Sequence, residues 1–254
     1  MSAYALRFVG VGSAQAPELG SACVVLERDG EPLLMIDCGN EALGIYERHY
    51  AAWPRAVFLT HAHFDHVGGM ERLFYRAYFD PALKGQIRLY TAAALVPVLQ
   101  ERLASYPDAV AEGGANFWDA FQLVPVGRSF WHRGLRFQVF PVRHHAPDSA
   151  FGIALPGSFV FTGDTRPIPE QLARFHPGTE LIAHDCTLHG NPSHTGFDDL
   201  AREYAPDLCR RFVLYHYLST GEADTMRAGG FRVAGQGECF ELAPPSPEHV
   251  LEGR

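Results

Sequence analysis

The segment from Phe58 to Met70, FLTHAHFDHVGGM, constrains this chain more than any other feature. Within six positions it places four metal-competent side chains directly after an apolar run: His61, His63, Asp65 and His66. A core histidine usually occurs singly, so packing does not explain this density. Residues two apart on an extended segment point to the same side, and the first two histidines can therefore hold one ion together. Imidazole and carboxylate are ligands typical of zinc and its neighbours, so the segment predicts a metal site, with Asp65 and His66 facing a second position after the chain turns.

The H-x-H-x-D-H spacing resembles the signature of the metallo-β-lactamase superfamily of metallohydrolases. The resemblance implies an α/β fold of the αββα sandwich type, with two mixed β-sheets packed face to face and helices outside. The apolar runs agree, because each half of the chain is a run of predicted strands followed by alternating strands and helices. We expect one hydrolase domain over residues 1–243 and an extended or disordered tail over 244–254, where three prolines fall within four residues.

A second cluster follows the strand-like run FPVR, which ends in His144 and His145. Adjacent residues of an extended chain point to opposite faces, so only one of the two can reach an ion. The run resembles the third motif of the superfamily, with His144 in the ligand position. His145 is then a rim or supporting group, and the choice between the two stays open at this point.

Two further runs end in candidate ligands. Asp164 lies in FTGDT and by itself is typical of a turn residue, but beside the other clusters it resembles the G-D-T motif, whose carboxylate bridges both metals. His216 ends the run VLYH and resembles the last ligand motif. The resemblance therefore implies two divalent ions, zinc by default with manganese or iron as alternatives. The implied ligands are His61, His63, His144 and Asp164 for one ion, and Asp65, His66, Asp164 and His216 for the other.

Two segments near residue 190 resemble those of one branch of the superfamily. The runs AHDCT and SHT resemble the H-E-A-T and S-H-S-T segments of ribonuclease Z-like phosphodiesterases, with Asp185 where glutamate is usual. The second histidine of that branch donates a proton near the leaving group, which makes His194 the candidate here. The alternative is a loop histidine that caps a helix beginning at Phe197. We assign the catalytic positions to Asp65 and His194.

The remaining candidates are placed outside the ligand set. Asp37 follows a predicted strand and either caps the next helix or supports the site, which is its usual role in the superfamily. Six histidines match no ligand position and are expected to be structural or exposed: His49, His132, His176, His184, His189 and His249.

The resemblance implies hydrolysis of a small phosphodiester, of the cyclic nucleotide or cyclic ribose phosphate type, by a hydroxide that bridges the metals. Two ions and two aspartates give the ligand set a charge of about +2, so a small anionic substrate is attracted although the chain carries −8. The acidic charge argues against a large nucleic acid. So does the short interval of residues 145–163, where tRNA 3′-processing relatives typically carry a long arm. Three alternatives stay open: a tRNA 3′-processing endonuclease-like activity, carbonyl hydrolysis of a thioester, lactone or β-lactam, and a non-catalytic metal-binding scaffold.

The cysteines and the N-terminal segment bear on location. Five scattered cysteines without a C-x-x-C pair argue against a disulfide framework or a zinc knuckle. The first residues lack the pattern of a signal peptide, and no apolar run is long enough to span a membrane. We expect a cytoplasmic protein without membrane contact. A homodimer is common in the branch that the chain resembles.

Overall fold

The computed structural model describes residues 2–105, 113–175 and 178–251. Within these residues the chain forms fourteen strands, which pair into two seven-stranded sheets. The strands are β1 Tyr4–Gly10, β2 Cys23–Arg28, β3 Glu31–Ile36, β4 Ala56–Leu59, β5 Ile87–Ala92, β6 Phe121–Val126, β7 Ser129–His132, β8 Leu135–Pro141, β9 Phe151–Leu155, β10 Phe159–Phe161, β11 Leu181–Asp185, β12 Phe212–Tyr215, β13 Arg232–Val233 and β14 Cys239–Leu242.

Short helices connect many of the strands. The α-helices are α1 Ala42–Tyr50, α2 Phe64–Val67, α3 Met70–Tyr78, α4 Val96–Leu99, α5 Pro169–Leu172, α6 Phe197–Glu203, α7 Pro206–Cys209 and α8 Thr220–Ala228. Turns of 3-10 helix lie at Pro17–Leu19, Ala93–Leu95, Phe117–Ala120, Ala173–Phe175 and Pro247–His249, and a π-helical turn lies at Gln100–Ala104.

The two sheets have matching topologies. The first has the order β14-β1-β2-β3-β4-β5-β6, antiparallel as far as β3 and parallel from β3 to β6. The second has the order β13-β12-β11-β10-β9-β8-β7, antiparallel from β7 to β10 and parallel from β10 to β13. The αββα arrangement expected from the sequence, with strand runs followed by strand–helix alternation in each half, is confirmed.

Aromatic side chains hold the two sheets together. Phe58 of β4 stacks on Phe130 of β7, with 5.9 Å between ring centroids, and Phe8 of β1 lies 6.1 Å from Tyr215 of β12. All four side chains are buried, and burying one such side chain stabilises a fold by about 1.5–3 kcal/mol. The inner faces therefore form one core, which fixes the two sets of strand ends relative to each other.

The apolar periodicity predicts one helix from Val67 to Phe79, but in the structure Gly68 and Gly69 lie between two helices, α2 and α3. A Cβ on Gly68 would collide with the side chain of Asn40, and one on Gly69 would lie 2.5 Å from the carbonyl oxygen of Gly39. Only glycine lets the histidine segment pack this closely on the residues after β3. Beyond the break, α3 buries one face at helical spacing, through Met70, Leu73, Phe74 and Ala77.

Other predicted boundaries shift by less. The helix predicted over 92–103 is a succession of a 3-10 turn, α4 and a π-helical turn. Strand β7 and helix α7 were not predicted, because each is only four residues long. The segment 111–120 was predicted to be irregular. Its residues 111 and 112 lie outside the described part, and Phe117–Ala120 forms a 3-10 turn whose Phe117 is fully buried.

The end of the chain packs against the second sheet. The segment was expected to be an extended or disordered tail, but Val250 pairs with Leu135 in an antiparallel bridge and His249 is buried. Prolines pre-set the turn at Pro247–His249, which brings Nδ1 of His249 to the carbonyl oxygen of Arg136 at 3.1 Å. The expectation is corrected as far as Leu251; residues 252–254 lie outside the described part. None of the described helices is long and apolar enough to cross a lipid bilayer.

Candidate metal centre

The first group of predicted ligands extends from the carboxyl end of β4. This strand is apolar and buried along its whole length, as is usual for a parallel strand covered on both faces. His61 and His63 follow it on extended backbone, and α2 then turns Asp65 and His66 back towards them. The imidazole rings of His61 and His66 come within 4.1 Å between centroids. The local spacing of the segment thus produces one cluster.

The second sheet supplies the other group. His144 follows β8, Asp164 follows β10 and His216 follows β12, each beyond the carboxyl end of its strand. The backbone N–H of His216 donates to the carbonyl oxygen of Val11 at 2.7 Å, and its φ of 71° is unusual for a residue other than glycine. All seven predicted ligands therefore come together where the two sheets present the same ends.

The ligand atoms form two overlapping sets that share Asp164. In each set, ligand atoms from all members lie within 4.8 Å of one another; the sets are His61, His63, His144 and Asp164, and Asp65, His66, Asp164 and His216. Asp164 Oδ2 lies 3.6 Å from Nε2 of His61 and 3.3 Å from Nε2 of His216, and its Oδ1 lies 3.2 Å from Nε2 of His66. The carboxylate is thus placed between the two sets.

Several of these atoms are buried without a hydrogen-bond partner among the described residues. They are Nε2 of His61, His66 and His216, and Oδ1 of Asp164. A buried polar atom without a partner costs about 1–3 kcal/mol, and four such atoms beside one another are positioned to share a bound ligand. Imidazole nitrogens with carboxylate oxygens are the donors that zinc and its neighbours take. The residues present therefore fit two divalent ions.

Supporting contacts orient the ligand rings. Asp37 Oδ2 accepts Nδ1–H of His66 at 2.8 Å, and the hydroxyl of Thr60 donates to the same oxygen at 2.7 Å. The Thr60 hydroxyl also lies 3.1 Å from Nδ1 of His61. Both rings therefore direct Nε2 to the centre, as outer partners of metal-binding histidines do. Asp37 supports the site as expected, and it does not cap α1.

The two adjacent histidines divide as predicted. His144 is buried, and its Nδ1–H donates to the carbonyl oxygen of Ser193 at 2.9 Å, which leaves Nε2 at 3.2 Å from Nδ1 of His63. His145 is exposed on a backbone with φ of 56°, and its ring lies 4.9 Å from that of His63. The structure places His144 in the cluster and His145 at the rim.

Burial and neighbouring charges shift the pKa values of the proposed ligands. Burial and the nearby His66 lower the pKa of His61 well below its usual value, and burial lowers the pKa of His63 to about 4. Although burial raises the pKa of Asp164, the charges of His216 and His66 outweigh it and hold the pKa well below the usual range. His61 and His63 are therefore in the neutral form that metal binding requires, beside an ionised carboxylate. Although burial lowers the pKa of His66 and of His216, the nearby carboxylates outweigh it and raise both.

His194 lies beside the cluster and is held by Asp185. Its Nδ1 is 2.9 Å from Asp185 Oδ2 and 4.0 Å from Asp164 Oδ2, and its ring stacks on that of His216 at 4.7 Å. Burial lowers the pKa of His194, but the hydrogen bond and charge of Asp185 outweigh burial and raise it to about 9. His194 does not cap α6, because Gly196 occupies the N-cap position and Nδ1 of His194 is bonded to Asp185 instead.

The remaining histidines that the structure describes are not members of the cluster. His132 and His184 are buried with both ring nitrogens in hydrogen bonds, and His249 is buried in the contact at the end of the chain. His49 is exposed, and so is His189, which lines a cavity next to the cluster; His176 lies outside the described residues.

A cavity of about 230 Å³ opens onto Asp65, Asp164, His194 and His216. Its outer wall includes Ser13 and Asn191, which sequence reasoning missed. Ser13 lies in the loop after β1, and nothing in its local sequence indicates a site. Asn191 lies three positions before His194 and accepts the backbone N–H groups of Ser193 and His194, so its signal was its proximity to the SHT run.

Solved structures share this fold over nearly the whole chain. A diphosphatase from the PhnP family has a TM-score of 0.76 at 19% identity, covering 96% of this chain and 100% of its own. The metallo-β-lactamase fold protein YhfI from Bacillus subtilis has 0.72 at 15%, covering 94% and 99%. Human tRNase Z, short form, has 0.62 at 19%, covering 93% and 98%. The metallo-β-lactamase fold expected from the first motif is confirmed.

Sequence comparison narrows the family. A ribonuclease of Thermus thermophilus is 27% identical over 212 residues, which are 78% of this chain and 47% of that protein. Together with tRNase Z it bears out the resemblance to the ribonuclease Z-like branch. The Anti-Pycsar protein Apyc1 of Paenibacillus harenae is 28% identical over 247 residues, 93% of this chain and 99% of its own. Since the sequence model of that family, Anti-Pycsar protein Apyc1, matches residues 4–240, the chain belongs to it.

Proposed function

We propose that the protein hydrolyses small phosphodiesters, of the cyclic nucleotide or cyclic ribose phosphate type, at a centre of two divalent ions. The observation that carries the proposal is the convergence of seven histidine and aspartate side chains, with partnerless buried atoms, beside a histidine of raised pKa. The names of the diphosphatase, the ribonuclease and tRNase Z, reported above, describe hydrolysis at phosphorus. They support a phosphorus centre over a carbonyl centre as the target.

The proposed ligand sets are those that share Asp164. Zinc is the expected metal because imidazole nitrogens predominate, and manganese and iron are the alternatives. When bound, such ions acidify water towards a pKa of about 7 and offset charge on a phosphate. Two groups orient the ligand rings towards the proposed ions: the Asp37 carboxylate holds His66, and the backbone carbonyl oxygen of Ser193 holds His144.

His194 is the proposed proton donor. Burial lowers its pKa, but the hydrogen bond and charge of Asp185 raise it and favour the protonated ring, which lines the cavity next to Asp164. Proton transfer to a departing alkoxide contributes about 10²–10⁴ in rate. Asp185 keeps the ring in place and stabilises its charged form, so the pair can give up a proton and regain it from solvent in each turnover.

The substrate is proposed to be small. Cavities of about 230, 390 and 370 Å³ adjoin the cluster, and each is of a size for a small molecule rather than for a long nucleic acid. The net charge of −8 repels a long polyanion. We therefore propose a small anionic substrate rather than a large RNA. We also propose that the protein acts in the cytoplasm.

The proposal is tested with purified protein loaded with zinc, manganese or iron. The substrates are bis-p-nitrophenyl phosphate, a panel of cyclic nucleotides, ribose 1,2-cyclic phosphate, a tRNA precursor, and a thioester and a lactone for comparison. We expect turnover of at least one small diester that is lost in Asp164→Ala and kept in Asp207→Ala, an exposed aspartate on α7. Hydrolysis of the thioester or lactone with all diesters untouched would replace the proposal with carbonyl chemistry. Sedimentation of the same sample tests the homodimer.

A further inference from the structure

An arginine-lined cavity lies at the end of the sandwich remote from the metal centre. It has a volume of about 580 Å³, and its polar lining includes Arg55, Gln86, Arg88, Gln122 and Arg133. No acidic side chain is among the described residues that line it. This cluster of positive charge stands out on a chain whose net charge is −8.

The position of the cavity follows from the strand direction. Arg55 directly precedes β4, Gln86 directly precedes β5, and Gln122 is the second residue of β6, so the cavity lies at the amino ends of parallel strands. The metal cluster lies beyond the carboxyl end of β4. From Arg55 to His61 the chain is extended for six residues, which separates the two places by about 20 Å. The cavity is therefore not part of the metal centre.

The backbone register directs Arg88 towards the space between the sheets. Arg88 is paired with Gln122 across β5 and β6, so their side chains project from the same face. Tyr90 lies two residues further on that face and stacks on Phe130 of β7, with 4.3 Å between centroids. An arginine thus continues a row that is otherwise part of the core, and Gln122 lies beside it.

Within the described part of the chain, Arg55, Arg88 and Arg133 form no ion pair with a carboxylate, although Arg211 pairs with Glu180 at 2.7 Å elsewhere. One N–H of Arg55 donates to the carbonyl oxygen of Ala82 at 3.1 Å, which holds that side chain in place. The guanidinium of Arg28 donates to the carbonyl oxygen of Arg133 at 3.3 Å and adds positive charge nearby. These charges are placed together without compensation.

The floor of the cavity is neutral and rigid. Nε2–H of His132 donates to the carbonyl oxygen of Leu33, and its Nδ1 accepts the hydroxyl of Tyr90, both at 3.0 Å. Burial lowers the pKa of His132 to about 4, with the nearby arginines acting in the same direction. Pro32 and Leu33 add an apolar wall. His132 is therefore a fixed support and adds no charge of its own at neutral pH.

We propose that this cavity binds a phosphate-bearing small molecule of nucleotide size, at a site separate from the metal centre. Guanidinium groups match phosphate oxygens in pairs, and the volume falls within the range of small-ligand sites. The amide nitrogen of Gln122 donates to the carbonyl oxygen of Gly85 at 2.8 Å, which leaves its oxygen to accept from the ligand. The wall of Pro32 and Leu33 takes the apolar face of a ring. The proposal holds whatever reaction the metal centre performs.

The test is calorimetric titration of the metal-loaded protein with ADP and with pyrophosphate. We expect Arg88→Gln together with Arg133→Gln to weaken binding at least tenfold. Arg136→Gln is the control, because it removes one charge of the same kind from the exposed face of β8 outside the cavity, and we expect less than a twofold change. Because metal ions also hold phosphate, the titrations are repeated in the Asp164→Ala background, where binding at the arginine cavity persists.

A second measurement locates the anion directly. Crystals soaked in tungstate, a phosphate mimic, are expected to show an anomalous peak between Arg88 and Arg133. Equal affinity of the double variant and the unaltered protein, equal weakening by Arg136→Gln, or peaks confined to the metal centre would each overturn the proposal. Both arginines are exposed, so the variants are expected to fold.

Discussion

Nδ1 of His194 lies 2.9 Å from Oδ2 of Asp185, and the same carboxylate places Oδ1 at 3.5 Å from Nδ1 of His216. One buried aspartate therefore joins the proposed proton donor to a proposed ligand. The backbone N–H of Thr165, next to Asp164, also donates to Oδ2 at 2.7 Å. The chain carries aspartate where the resembling motif has glutamate, and the shorter side chain still reaches both rings.

Replacing His194 by alanine is expected to have an effect that depends on the leaving group. For a cyclic nucleotide, whose alkoxide needs a proton, kcat should fall by about 10²–10⁴. For bis-p-nitrophenyl phosphate, whose leaving group departs as a stable anion, the fall should be less than tenfold. Steady-state kinetics on both substrates check this. Equal losses on the two would mean that His194 acts on the ions or on binding.

Removing Asp164 is expected to abolish both ion sites, because its carboxylate lies between the two ligand sets. Elemental analysis should find two divalent ions per chain in the unaltered protein and fewer than one in Asp164→Ala. A ligand that binds only the folded state stabilises it by about 2.7 kcal/mol at 100 times its Kd. Chelation should therefore lower the Tm of the unaltered protein and leave that of Asp164→Ala unchanged. Asp207→Ala, the control, should keep two ions.

Asp37→Asn is expected to lower metal affinity without removing a ligand. Oδ2 of the carboxylate accepts N–H of His66 and the hydroxyl of Thr60, and Oδ1 accepts the backbone N–H of Thr60, so an amide with a single oxygen cannot keep all three bonds. Losing such an outer contact typically costs 10–100-fold in metal affinity. Competition with a coloured chelator measures it. Asp29→Asn, in the β2–β3 turn, serves as control, because asparagine tolerates its φ of 56°. Unchanged affinity in Asp37→Asn would show that the negative charge of Asp37 is not needed to position the His66 ring.

Gly39→Ala is expected to displace the metal-binding segment. A Cβ there would collide with the carbonyl oxygen of Asp65 and the side chain of Ser21. Overpacking of this kind costs about 1–3 kcal/mol, and the strain falls directly on a proposed ligand. The urea concentration at the midpoint of unfolding and the metal content should both decrease. Gly127→Ala, where a Cβ meets nothing within 4 Å, should change neither.

Glu27 is expected to make stability depend on pH. Burial raises the pKa of this carboxyl, but hydrogen bonds from Arg7 at 2.6 Å and Tyr50 at 2.5 Å outweigh burial and lower it below its usual 4.5. A lowered pKa stabilises the fold above pH 4.5, and the contribution is lost as pH falls below that value. Glu27→Gln should therefore cost about 2 kcal/mol at pH 7. Urea midpoints should converge between pH 4.5 and pH 3, and a constant difference across that range would contradict the assignment.

Much of the cluster was predictable because its chemistry is local in the sequence. The spacing of His61 and His63 after an apolar strand determines which way both rings point, whatever the rest of the chain does. Asp164 was harder, since its G-D-T run is typical of a turn until other ligands are brought to it. The choice of His144 over His145 depends on a carbonyl oxygen at Ser193, forty-nine positions away, which no local pattern reveals.

The features that sequence reasoning missed depend on distant partners. Strand β7 is short, and its identity comes from pairing with β8 and from Phe130 packing between the sheets. The end of the chain is ordered because Val250 finds Leu135. The arginine cavity joins residues from four strands, from the segments before β4 and β5, and from the turn after β7. In each case tertiary contact decides a conformation that propensity leaves undecided.

The proposed ligands are divided between the two sheets, and this division has a mechanical consequence. The first sheet positions His61, His63, Asp65 and His66, and the second sheet positions His144, Asp164 and His216. The proposed pair of cations, when bound, would connect the two sheets, so a small displacement of one sheet relative to the other would separate the ligands while every helix and strand stays intact.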